Sequence, residues 1–175
     1  MAQSIRNIIT DLNTALAAKF NHAVFYGIAT SVTRELRMQP TVNERAVAFD
    51  DSYGMQIYHK LGDIRVTYKP GMGRVNNTVN TFAVSAIVFN NEKITGLKSD
   101  EIAMVMQSVM SLQNNILPTS IILNTQAIFA AEYRGVDFPL SEFFSLFQIN
   151  YNVEVTFKSG CFDLCPEDFS QCKIN

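Results

Sequence analysis

From Phe147 to Phe157 the chain alternates apolar and polar residues without a break: Phe147, Ile149, Tyr151, Val153, Val155 and Phe157 are separated by Gln148, Asn150, Asn152, Glu154 and Thr156. Side chains on a strand point alternately to its two faces, so one face is wholly apolar and the other wholly polar. Eleven extended residues span ~37 Å at about 3.4 Å each, well beyond the usual strand of about five or six. The apolar face requires a helix or sheet as cover, and the polar face must meet water or a polar partner.

A different period opens the chain. Ile5, Ile8, Ile9, Leu12, Leu16 and Phe20 share one helical stripe, Asn7, Asp11, Asn13 and Lys19 lie off it, and Ser4 stands in the N-cap position. Strand patterns follow from His22 to Phe89: Val24, Tyr26 and Ile28 alternate, and so, more briefly, do Val47 and Phe49. Met55–Leu61 and the alternating Ile64, Val66 and Tyr68 flank Gly62-Asp63, a tight-turn signal, and the pair reads as a β-hairpin. Residues 70–78, which include Gly71, Met72, Gly73, Arg74, Asn76 and Asn77, predict a long loop, too rich in Pro, Gly and Asn for regular structure. Thr81–Phe89, apolar on both faces, is a central strand.

Ser99, in the N-cap position with Asp100 and Glu101 in the first turn, opens a second helix whose stripe is Ile102, Val105, Met106, Val109 and Leu112, ended by Asn114-Asn115 and Pro118. Ile121–Leu123 and Ile128–Tyr133 are short strand candidates before a polar turn near Gly135-Val136-Asp137. Helices segregated from strands indicate an α+β fold: an antiparallel sheet with the N-terminal amphipathic helix and the second helix packed on it. Residues 1–160 form one domain, with a cysteine-containing tail over 161–175.

Composition narrows the function classes. The chain of 175 residues is 47% hydrophobic and only 17% charged, with 13 Phe and no Trp, so Asn, Gln, Ser and Thr supply much of its polar surface. That suits a subunit that buries its exterior against neighbours; AT-rich coding would give a similar bias. A net charge of −2 argues against a dedicated DNA binder, which needs clustered Lys and Arg to neutralise phosphates. No apolar run approaches the ~20 residues of a membrane span, and Asp11, Asn13 and Lys19 interrupt the N-terminal pattern, so no signal peptide is expected and residence in the cytoplasm follows. Cys161, Cys165 and Cys172, an odd number with no His nearby, make a poor disulfide framework and a poor zinc site, and are expected as reduced thiols.

No catalytic signature competes with this picture. His22 and His59 lie in strand patterns without a Cys, Asp or Glu at ligand spacing, and are expected to be satisfied or exposed strand histidines. The Gly71–Arg74 loop leads into a strand rather than a helix, which a phosphate cradle would need. Asp50-Asp51 and Glu167-Asp168 suit turns. Met104, Met106 and Met110 suit a core or an interface. The expectation is a protein without catalysis, cofactor or metal.

The order of elements resembles the tail-terminator and tail-completion proteins of tailed bacteriophages and their neck-ring relatives: an N-terminal helix at Ile5–Phe20, paired strands at Met55–Lys69, a core strand at Phe82–Phe89 leading into a helix at Ser99–Leu112, and a closing strand at Phe147–Phe157. The resemblance implies a virion protein forming a ring of six or twelve subunits in the head–tail neck, assembled in the host cytoplasm, meeting portal-side, neck or tail proteins and surrounding a DNA channel without specific binding. The surfaces expected to meet neighbours are the loop with Gly71, Met72, Gly73, Arg74, Asn76 and Asn77, and the polar strand face with Gln148, Asn150 and Asn152. A small cytoplasmic ligand-binding or dimeric α+β module is the alternative.

Overall fold

The structure, a computed structural model, describes residues 4–29, 31–33, 46–48, 52–69, 77–132 and 143–158. The fold is α+β. Helix α1 (Ile5–Ala17) begins where the Ser4 hydroxyl accepts the Asn7 N–H, and buries Ile8, Ile9, Leu12 and Leu16. Strands β1 (Ala23–Ile28), β4 (Met55–Lys69), β5 (Asn77–Asn91), β6 (Ile116–Ile122) and β7 (Phe144–Lys158) form a five-stranded sheet in the order β1-β4-β5-β7-β6. It is antiparallel except where β1 joins β4 in parallel; β2 (Ser31–Thr33) and β3 (Ala46–Ala48) make a separate parallel pair. Helix α2 (Glu92–Thr95) is one turn, stopped by Gly96 in the left-handed region at φ 66°. Helix α3 (Ser99–Ser111) and helix α4 (Thr125–Glu132) are the remaining elements among the described residues.

One face of the sheet carries α1 and α3. Met55, Ile57, Val84, Ala86, Val88, Phe147, Ile149, Tyr151, Val153 and Val155 meet the buried stripes of both helices in the main core. The closing strand therefore does as its alternation requires: Ile149, Tyr151, Val153 and Val155 are all buried. The opposite face has a smaller core near one end, where Ile128 of α4 meets Tyr58, Ile87, Phe89 and Leu146.

Five expectations need correction. Gly62-Asp63 is a β-bulge, not a hairpin turn: β4 runs on through it, Leu61 pairing with Val84 and Ile64 with Phe82, so two residues face Ala83 alone. The extra residue shifts the alternation by one and keeps Ile64 and Val66 on the same face as Ile57 and His59. A Cβ on Gly62 would lie 3.4 Å from the Ala83 carbonyl oxygen, an ordinary van der Waals contact, so the space at the bulge does not itself demand glycine. Asn77 and Thr78 belong to β5 rather than to the loop expected over residues 70–78, since they pair with Lys69 and Tyr68; residues 70–76 lie outside the described residues.

The segment Ile128–Tyr133 is helical through Glu132, because Asn124 Oδ1 accepts the Ala127 N–H at 3.0 Å and starts an alanine-containing turn whose Ile128 is buried. Finally, α3 buries Ile102, Ala103, Met106, Val109 and Met110, whereas Val105 and Leu112 face outward. The helix lies over β6 and β7 and beside α1, and those two neighbours together set the buried arc. Ser99 is its first helical residue rather than its cap; the Lys98 N–H donates to Glu101 Oε2 at 2.9 Å.

Candidate functional site

A buried polar cluster sits between α1 and the sheet. His59, on β4, is fully buried, with its Nε2 2.8 Å from Asn13 Oδ1 and its Nδ1 2.8 Å from the Tyr151 hydroxyl. Asn13 Nδ2 donates to the Tyr26 carbonyl at 3.1 Å, which leaves Asn13 Oδ1 as an acceptor. The proton of His59 therefore resides on Nε2, and Tyr151 donates to Nδ1. Burial lowers the His59 pKa from 6.5 to about 4 and raises that of Tyr151 well above its usual value. A neutral, fully hydrogen-bonded imidazole sealed from solvent joins α1, β4 and β7; it is not poised to exchange protons with a substrate. His22 is exposed.

Gln148 and Asn150 lie on the sheet face away from α1 and α3, in a ladder of neutral groups. Gln148 Nε2 donates to Asn150 Oδ1 at 2.6 Å and to Ser85 Oγ at 3.2 Å, Ser85 Oγ donates to Asn150 Oδ1 at 2.8 Å, and Asn150 Nδ2 donates to Ser120 Oγ at 2.9 Å. Asn152, half-buried on the same face, pairs in register with Ala83 and Leu117. These amides tie β5, β7 and β6 to one another. Asn77 begins β5, whereas Gly71, Met72, Gly73, Arg74 and Asn76 lie outside the described residues, as do Cys161, Cys165 and Cys172. The structure thus brings Gln148 and Asn150 together and does not join them to Asn77.

The more open surfaces are elsewhere, where the sheet outgrows its cover. β4, β5 and β7 are each 15 residues long, about 50 Å at roughly 3.3 Å per residue. β1 pairs with β4 only from Met55 to His59, and β6 pairs with β7 only as far as Val153. Beyond those points the three strands continue as an arm. Along its β4 side Leu61, Ile64 and Val66 are 41%, 55% and 48% exposed. On the opposite flank of the sheet, α3 presents Met104 and Leu112, 69% and 79% exposed, with Val105 beside them.

Helix α1 shows what an ordinary outer face looks like here: Arg6, Asn7, Thr10, Asp11, Thr14 and Ala17 are its exposed residues. The alternation along β4 does not by itself mark Leu61, Ile64 and Val66 as exposed; Met104, expected in a core or an interface, is on the outer face of α3. The one available signal was Met104-x3-Ser108-x3-Leu112, a second stripe on α3.

Among the described residues no group of three or more His, Cys, Asp or Glu is placed to hold a metal ion. A groove of about 180 Å³ lies between Phe20–His22 and Thr95 and Leu97, and no helix of the described residues is long and apolar enough to cross a membrane. Comparison with protein-family models and with curated proteins finds no match to this chain.

Proposed function

We propose that this chain is a structural virion protein that forms a homo-oligomeric ring of six or twelve subunits in the head–tail connector of a tailed bacteriophage, as a neck ring or tail terminator. The ring joins portal-side proteins to the tail and surrounds the DNA channel. A closed head-to-tail ring needs two different surfaces on each subunit, because a patch on one copy meets a non-identical patch on the next. The observation that carries the reading is that the sheet offers such a pair on its two flanks: the arm with Leu61, Ile64 and Val66 on the β4 side, and α3 with Met104 and Leu112 over β6 and β7. Monomeric soluble proteins rarely leave contiguous apolar surface open unless it meets something. The order of elements that resembles tail-terminator proteins supports the same reading, and low charge suits a passage that must not grip its cargo.

Cryo-electron microscopy of the particle tests this directly. The expected result is one closed ring of this chain on the head–tail axis. Density for the chain elsewhere, or a protein that only dimerises and turns over a small substrate, would overturn it.

A further inference from the structure

Both margins of the arm end in main chain that no described strand pairs with, and the pattern of that main chain specifies what fits. On β4, the His59 carbonyl faces outward, since it accepts the Ala29 N–H at 2.9 Å. Main-chain groups alternate in direction along a strand, and the bulge carries the phase from Leu61 to Ile64. Ile64 and Val66 therefore aim their N–H and C=O groups out of the sheet, where no described strand meets them. On β7, Glu154 N–H faces the other margin, donating to the Asn115 carbonyl at 3.0 Å, so Glu154 C=O and Thr156 N–H aim outward there too.

The two margins match without slip. Through β5, Val66 stands level with Asn80 and Val155, Arg65 with Thr81 and Glu154, and Thr67 with Val79 and Thr156. β4 and β7 both run antiparallel to β5 and hence parallel to each other. In a parallel ladder, one residue donates to the carbonyl preceding its partner and accepts from the N–H following it. Val66 of one copy set beside Val155 of the next meets that condition, with Glu154 C=O before and Thr156 N–H after. The same register keeps the apolar faces continuous, which a slip of one residue would reverse. It also puts Arg65 next to Glu154, opposite charges that are both exposed.

The geometry points to a second copy of this chain as the occupant of the β4 margin: Ile64–Thr67 of one subunit pairs in parallel with Val153–Thr156 of its neighbour, making one sheet continuous between subunits. This rests on the ring reading for the closed symmetry, but the pairing itself is separately testable. It places the subunit contact on strand margins rather than on the amide ladder of Gln148 and Asn150.

The test uses the full chain with Cys161, Cys165 and Cys172 changed to Ser, carrying Thr67→Cys and Thr156→Cys. Both positions are exposed on the same sheet face. Within one subunit β5 separates them by two strand spacings, about 10 Å, which is too far for a disulfide. Mild oxidation at high protein concentration is expected to give a ladder of covalent oligomers from the double variant and monomer from each single variant. Absence of the ladder, or dimer from Thr67→Cys alone (two β4 margins meeting symmetrically), overturns the proposal.

A charge exchange gives an independent reading. Arg65→Glu and Glu154→Arg are each expected to lower the oligomer yield several-fold, and the double exchange to restore it. Mass photometry of the unsubstituted chain separates the two claims: a closed species without a ladder sinks only the marginal pairing, and a ladder without a closed species sinks only the ring.

Discussion

The two ends of the sheet follow different rules. At the helix-covered end, β4, β5 and β7 are buried by α1 and α3 on one face and partly by α4 on the other, and Ile57, Ala86, Phe89 and Ile149 are fully enclosed. At the bare end the same three strands stay paired, and although Val79 and Val155 are still buried, β4 has lost its cover: every residue from Leu61 to Thr67 is exposed. Apolar burial is the largest favourable term in folding, at about 25 cal/mol per Å², so the covered end holds the fold. The bare end holds its shape by backbone pairing and leaves Leu61, Ile64 and Val66 exposed. Strand length alone therefore does not report core size: part of this sheet is scaffold and part is surface.

That contrast predicts a descending series of effects. Ile149→Ala, at the covered end, is expected to cost about 2–5 kcal/mol through lost burial and the cavity left behind, measured by urea unfolding of the purified chain. An Ile149→Ala chain as stable as its parent would mean that the covered end is not the core.

Next comes acid. The unfolded His59 titrates near 6.5 and the folded one near 4, so between these values the unfolded chain binds the extra proton. The neutral imidazole's contribution is complete above pH ~6.5, falls as pH drops, and is lost by pH ~4, on the order of 3 kcal/mol in all. Unfolding curves from pH 7 to 4 should show this slope, and His59→Phe should flatten it. An unchanged slope would exclude His59 as its source.

Smaller effects follow. Lys60 reaches Glu132 of α4 at 2.8 Å with its side chain 35% exposed, and Lys60→Ala should cost at most about 1 kcal/mol. At the bare end, Ile64→Ala or Val66→Ala should change subunit stability by no more than about 0.5 kcal/mol while reducing assembly. Sedimentation alongside thermal unfolding distinguishes these, since a large stability loss with intact assembly would reverse the assignment of the two ends.

The sequence made some of this legible and hid the rest for identifiable reasons. α1 and β7 follow single, uninterrupted periods, and both fold as those periods require. Gly62-Asp63 carries the same signals in a bulge as in a two-residue turn: a polar, glycine-containing pair and a shift in alternation. Only the long-range register of Leu61 with Val84 and Ile64 with Phe82 separates the two. Ile128–Glu132 is too short for a period of 2 to be told from one of 3.6, and its helix start depends on the Asn124 side chain. Val105 and Leu112 fit a helical stripe equally well on either side of α3, and its neighbours, not its period, chose. The Asn13–His59–Tyr151 chain joins residues 46 and 92 positions apart, a distance no local pattern spans.

The central claim is that the bare end of the sheet is a surface between copies while the covered end is the core of each. Hydrogen exchange measured on dilute subunits and on the assembled protein tests it most directly. The amides of Val84–Phe89 should be protected equally in both states. Those of Ile64, Val66 and Thr156, which face out of the sheet, should exchange freely in the dilute subunit and gain protection on assembly. Amides at these positions that exchange at the same rate before and after assembly would contradict the account.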